Sequence, residues 1–172
     1  TAARNYTLAE ELQRAFENGE FVLHYQPVLR LGDYRMVGAE ALLRWNHPRE
    51  GMISPDRFIG VAEDSGLIVP LGDWVLEAAC RRMRQWQDIG FSEMRISVNL
   101  SARQFRDPGL VGRVAQIISE TRLDPLSLEL EITESTVMHD SEAAIGTLRA
   151  LKKQQEEQQK KQLYRLRRGT FH

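Results

Sequence analysis

Glu40-Ala41-Leu42-Leu43-Arg44-Trp45-Asn46 closes an apolar run that begins near Met36, and it sets a carboxylate and a guanidinium four residues apart. In a strand, Glu40, Leu42 and Arg44 share one face. An acid carried into the mouth of a sheet is costly unless it is paired or binds a cation. A guanidinium close beside it suits phosphate oxygens. The plainer alternative is a salt bridge on a solvated rim. Two further stretches carry similar chemistry: Asn99 within Ser97-Val98-Asn99-Leu100-Ser101, and Glu131 with Glu134 in Glu131-Ile132-Thr133-Glu134-Ser135. Two carboxylates and an amide oxygen are hard ligands, suited to Mg²⁺ or Mn²⁺ rather than Zn²⁺. Gln26 could add a neutral hydrogen-bonding group. Each also has a structural alternative. Asn99 could cap a turn, Glu134 could open a helix as an N-terminal acid, and Glu129 could serve the sheet interior. Their joint placement at successive strand ends is what points to a metal site.

The positioning elements follow from hydrophobic spacing. Thr7-Leu8-Ala9-Glu10 has the pattern of a capping box, with Thr7 as N-cap. Leu8, Leu12, Ala15 and Phe16 continue at helical spacing until Asn18-Gly19. Phe21–Leu29 is rich in strand formers, and Leu31-Gly32-Asp33-Tyr34 turns it into the Met36–Leu43 strand, so the two are expected to be antiparallel neighbours. Ser54-Pro55 reads as the start of a short helix through Phe58, Ile59 and Ala62, ended by Gly66. A longer helix carries Leu71, Val75, Ala78, Ala79, Met83 and Trp86 on one face and stops at Gly90. Arg95–Leu100 and Ser127–Ile132 alternate as strands, separated by a helix over Leu110–Thr121. Ser141–Leu151 reads as the next helix. Strand and helix alternate from Met36 onward, which argues for parallel strands with helices packed outside. Function in such folds collects at the carboxyl ends of the strands.

Composition narrows the class. A chain of 172 residues suits one domain. Its net charge of −1 gives no support to a nucleic-acid surface. The charge is unevenly spread. Residues 1–151 hold sixteen arginines, no lysine and 22 acids, whereas residues 152–172 hold four lysines, three arginines, two acids and five glutamines. A boundary is therefore expected at Lys152, dividing a domain over 1–151 from a low-complexity basic tail, helical or disordered. The single cysteine, Cys80, excludes an internal disulfide and is expected to be a small core residue. His24 and His47 lack metal-ligand spacing, and Trp45, Trp74 and Trp86 are expected in the core. No apolar stretch approaches the ~20 residues of a membrane span, and no signal-peptide pattern opens the chain. A cytoplasmic setting is expected.

Tyr25-Gln26-Pro27, Glu40-Ala41-Leu42-Leu43-Arg44-Trp45, Ser97-Val98-Asn99-Leu100-Ser101 and Glu131-Ile132-Thr133-Glu134-Ser135 occur in the order and spacing of the EAL domain, which residues 7–151 resemble. That resemblance implies a (β/α)8 TIM-like barrel with an antiparallel first strand, here a partial barrel. It implies hydrolysis of cyclic di-GMP to the linear dinucleotide, dependent on Mg²⁺ or Mn²⁺. Glu40, Asn99 and Glu131 would be metal ligands, with Glu40 and Glu131 catalytic. Gln26, Leu43 and Arg44 would contact the dinucleotide, and Glu134 would steady the loop over the site.

The resemblance also has a limit. The family continues with a strand ending in a double aspartate and a glycine-rich loop, and these 172 residues contain no Asp-Asp pair. The chain is therefore expected to be inactive alone. The alternative is a catalytically dead module that binds cyclic di-GMP or another protein. A homodimer or a partner chain completing the barrel is a further expectation. No nucleic-acid polymer and no membrane segment are expected.

Overall fold

The computed structural model describes residues 2–132 and 141–168, with side chains for 7–132 and 145–158. Helix α1 (Ala2–Glu17) leads into strands β1 (Phe21–Leu29), β2 (Met36–His47) and β3 (Gly51–Ile53). A 3-10 turn at Pro55–Arg57 precedes α2 (Ile59–Ser65) and α3 (Ile68–Asp88). Then come β4 (Arg95–Asn99), the short α4 (Ala102–Phe105), α5 (Leu110–Thr121), a 3-10 turn at Pro125–Ser127, β5 (Leu128–Glu131) and α6 (Ser141–Arg168).

The sheet runs β1-β2-β4-β5, with β3 paired to β2. β1 is antiparallel to β2, while β2, β4 and β5 are parallel neighbours. The expected topology holds. Ala39 and Ala41 of β2, Ile96 and Val98 of β4 and Leu128 of β5 meet α3 and α5 in one apolar cluster, with Leu151 of α6 packed against it. Small alanines on β2 and larger residues on β4 together fill the space beneath the helices. Cys80 lies in this cluster, where burial pushes its thiol up to about 12. A second cluster gathers Leu12, Phe21, Trp45, Ile53 and Phe58 beside β3. It joins α1 and α2 to the end of the sheet where the polar strand ends lie.

His47 is buried in contact with Trp45, at a ring-centroid distance of 5.0 Å. Its Nδ1 accepts from the backbone N–H groups of Arg49 and Glu50, at 3.2 and 3.0 Å, and its Nε2 lies 3.0 Å from Glu11 Oε1. It clamps the β2–β3 turn against α1, a structural use in keeping with its spacing.

Three readings of local structure need correction. α1 begins at Ala2, so Thr7 lies inside the helix and is not its N-cap. Helical residues upstream prolong α1 past the capping pattern. Ser54 makes no side-chain cap bond, and the chain takes a 3-10 turn through Pro55–Arg57 before α2 starts at Ile59. The strand expected to end at Leu43 continues to His47, because β3 pairs with its extension at Trp45, Asn46 and His47.

Gly38 is required by a close approach. A Cβ there would lie 2.7 Å from the backbone oxygen of Arg95. The missing side chain lets β2 and β4 pair one row below Glu40.

Candidate functional site

Register decides which side chains share the open face of the sheet. Glu40 pairs with Ser97 and Asn99 with Glu131, while Gln26 lies opposite Glu40 across β1. Alternation then places Gln26, Glu40, Leu42, Arg44, Ser97, Asn99, Glu129 and Glu131 on one face, away from the apolar cluster. That face is polar because the helices cover the other one.

Asn99 Nδ2 donates to Glu40 Oε1 at 2.7 Å, and Leu100 N–H donates to the backbone oxygen of Glu131 at 2.8 Å. The ends of β2, β4 and β5 are thereby tied together, with Glu40 bonded to Asn99 and Glu131 beside Asn99 in register. Among the described residues no three His, Cys, Asp or Glu side chains gather as a metal cluster. Here the third donor is an amide. A half-turn about the Asn99 Cβ–Cγ bond exchanges Nδ2 for Oδ1, which makes the same group an oxygen ligand. The donor set therefore fits a hard divalent cation, and water or substrate oxygens would fill the remaining positions.

A cleft of about 670 Å³ opens at this end of the sheet. Arg44, Asn99 and Glu131 line it together with Asp56, Glu63 and Gln104. Arg44 Nη1 donates to Leu43 O at 2.7 Å, and no ion pair joins it to Glu40 among the described residues. The rim salt bridge is therefore not what Glu40 and Arg44 form.

The other sequence candidates divide. Leu43 borders the cleft while packing against both apolar clusters, so it sits on the helix-covered face. Gln26 is exposed beside Glu40 and does not line the cleft. Glu129 sits one row below Glu131, where it accepts from Arg95 Nη1 at 2.9 Å and from Ser97 Oγ at 3.4 Å. Those bonds tie β5 to β4 on the open face, where Glu129 is exposed. Glu134 lies outside the described residues.

Sequence reading missed the segment after Asn99. Ser101 Oγ accepts from Gln104 N–H at 3.2 Å, while Gln104 Oε1 accepts from Ser101 N–H at 3.0 Å. The signal was present, since Ser101-Ala102-Arg103-Gln104 has capping-box spacing. Asp56 and Glu63 also went unnoticed, because neither carries a local motif that aims it at a strand end.

The family model described as the EAL domain matches residues 9–155. MucR of Pseudomonas aeruginosa, described as a bifunctional diguanylate cyclase/cyclic di-GMP phosphodiesterase, is 46% identical over 150 residues, covering 87% of this chain and 22% of MucR. NbdA of the same organism, a cyclic di-GMP phosphodiesterase, is 39% identical over 88% of this chain and 19% of NbdA. The solved MucR phosphodiesterase in complex with c-di-GMP superposes with a TM-score of 0.83 and 46% identity, over 86% of this chain and 60% of that one. The chain thus spans about a fifth of these curated relatives. Its sheet, with the antiparallel leading strand, is part of a TIM-like barrel. With the family model covering most of its length, the chain belongs to the EAL domain family.

Proposed function

We propose that the chain carries the cation- and dinucleotide-binding portion of a cyclic di-GMP phosphodiesterase site, and that alone it binds without turnover. The observation that carries this reading is the contact of Asn99 with Glu40 at the mouth where Glu131 also ends its strand. Support comes from MucR and NbdA, whose descriptions name that activity, and from the MucR complex with c-di-GMP.

Glu40, Asn99 and Glu131 would hold Mg²⁺ or Mn²⁺. A cation held there would polarise a phosphoryl oxygen and acidify a bound water. The protein's own part is to orient the substrate. Arg44 presents a planar donor fork to a phosphate, and the walls formed by Leu71, Val75 and Ile59 exclude water on one side of the cleft. Hydrolysis through two metals also needs ions ~3.5–4 Å apart with bridging ligands. The 172 residues lack the Asp-Asp pair that the family pattern places there.

Arg44 supplies the test. Cyclic di-GMP binding, read by calorimetry, should weaken roughly tenfold or more in Arg44→Ala, the scale of a lost charge-assisted hydrogen bond. Lysine should restore little of it, because a point charge does not replace the bidentate fork. Equal binding by the parent chain and Arg44→Ala would defeat this assignment.

The same reading extends to association. Among the described residues β5 pairs with β4 alone, which leaves one edge of Leu128–Glu131 open to another chain. A homodimer or a partner chain supplying further strands is expected, and analytical ultracentrifugation should show species larger than the monomer. A single monomeric boundary across a wide concentration range would argue against it. A cytoplasmic location and the division at Lys152 between a domain over 1–151 and a low-complexity basic tail belong to the same proposal. Among the described residues no helix is long and apolar enough to cross a membrane.

A further inference from the structure

Asn99 is followed at once by α4, and this four-residue helix is held more firmly than its length requires. Ser101 and Gln104 cap one another through both backbone N–H groups. Gln104 is buried, and its side chain lies against α3 at Gly72, which is buried as well. The fit there is tight, since a Cβ built on Gly72 would fall 1.6 Å from Gln104 Nε2. The side chain has no free swing, because moving it breaks the bond from Ser101 N–H to Oε1. On the other side of α4, Arg103 Nη1 donates to the backbone oxygens of Glu63 and Asp64 at the end of α2. α4 therefore fixes the backbone after Asn99 to two helices whose residues line the cleft.

We propose that Gln104 is a positioning residue for Asn99, acting through the Ser101 N–H, and that Gly72 is glycine because this side chain needs its space. The inference rests on the cation-site reading above. It goes further by assigning a role in ligand placement to two residues of the cleft wall that are not among the cation's donors. Outer-shell partners that orient ligands are worth about 10–100-fold in metal affinity. A misplaced Asn99 should weaken the site by the lower part of that range.

The test measures Mn²⁺ affinity and thermal melting together, on the full chain, for Gly72→Ala, Gln104→Ala and the double variant. Each single substitution should lower the melting temperature, by a clash in the first and a void in the second. Alanine at position 72 occupies part of the space that Gln104→Ala vacates, so the double variant should regain much of that loss. It still lacks the acceptor for Ser101 N–H, and its Mn²⁺ affinity should stay about tenfold below the parent. Val114→Ala, which thins the core at α5 without touching the Ser101–Gln104 cap, should melt earlier yet bind Mn²⁺ like the parent. If the double variant recovers parental Mn²⁺ affinity, Gln104 serves packing alone and the proposal fails. It also fails if Val114→Ala, compared with variants of equal melting temperature, loses as much affinity as they do. Absence of saturable Mn²⁺ binding in the parent chain would instead overturn the cation-site reading, and the positioning role with it.

Discussion

Trp45→Ala should cost about 3–5 kcal/mol of folding stability, the range for truncating a large buried aromatic. Trp45 is 1% exposed and is the largest fully buried side chain among the described residues. Its ring packs on Phe21 at 5.9 Å and edge-on to Phe58 and His47 at 5.8 and 5.0 Å. Its indole Nε1 donates to Glu20 Oε2 at 2.9 Å, joining β2 to the segment that enters β1. No smaller residue fills this volume, and domains of this kind hold only about 5–15 kcal/mol in total. Urea unfolding followed by circular dichroism should therefore show a large fall in the midpoint. Trp45→Phe should lose less, since it keeps most of the packing and gives up the bond to Glu20 and part of the ring volume. A midpoint for Trp45→Ala close to the parent would mean that the cluster between α1, α2 and β3 does not hold the end of β2 in place.

The second large effect is chemical. Glu40→Ala should abolish Mn²⁺ binding, because it removes one of two charges from a site with three protein donors. Glu131→Gln should weaken binding strongly while preserving shape. Glu129→Ala is the informative control. Glu129 lies two residues from Glu131 on the same face, yet its carboxylate is engaged by Arg95 and Ser97 one row below the mouth. It should bind Mn²⁺ like the parent. Electron paramagnetic resonance of free Mn²⁺ reads all three variants directly. If Glu129→Ala proves as damaging as Glu40→Ala, the site lies deeper in the sheet than Asn99.

Much of this arrangement was legible because period and chemistry agreed. Strict alternation in Arg95–Asn99, with Ile96 and Val98 set against Ser97 and Asn99, gave both the strand and the side on which its amide would emerge. The same parity assigned Glu40 and Arg44 to one face. Leu43 shows how parity limits a resemblance: it lines the cleft with Leu42 and Arg44, yet its face of β2 is the one packed on the apolar clusters. Capping chemistry was less decisive. Thr7-x-x-Glu10 and Ser101-x-x-Gln104 have the same signature, but only the second forms a cap. A box works where a non-helical residue precedes the helix, as the extended backbone of Ser101 does. At Thr7 the helix has already begun, so its hydroxyl has no free helix end to serve. β3 was invisible for another reason. Three residues carry no period, and only pairing with the extension of β2 makes them a strand. Asp56 reaches the cleft from the 3-10 turn at Pro55–Arg57 and Glu63 from α2, placements that no local pattern reports.

On the reading proposed above, this chain holds cyclic di-GMP through a cation at Glu40, Asn99 and Glu131 without cleaving it. Equilibrium dialysis of the purified 172-residue chain against cyclic di-GMP, with the retained nucleotide then separated by chromatography, tests both halves at once. The predicted result is intact cyclic di-GMP retained in Mn²⁺ and released by chelation of the metal. Accumulation of the linear dinucleotide by the parent chain, lost in Glu131→Gln, would contradict the claim that it binds without turnover. Retention indifferent to chelation, or no retention at all, would contradict the site itself.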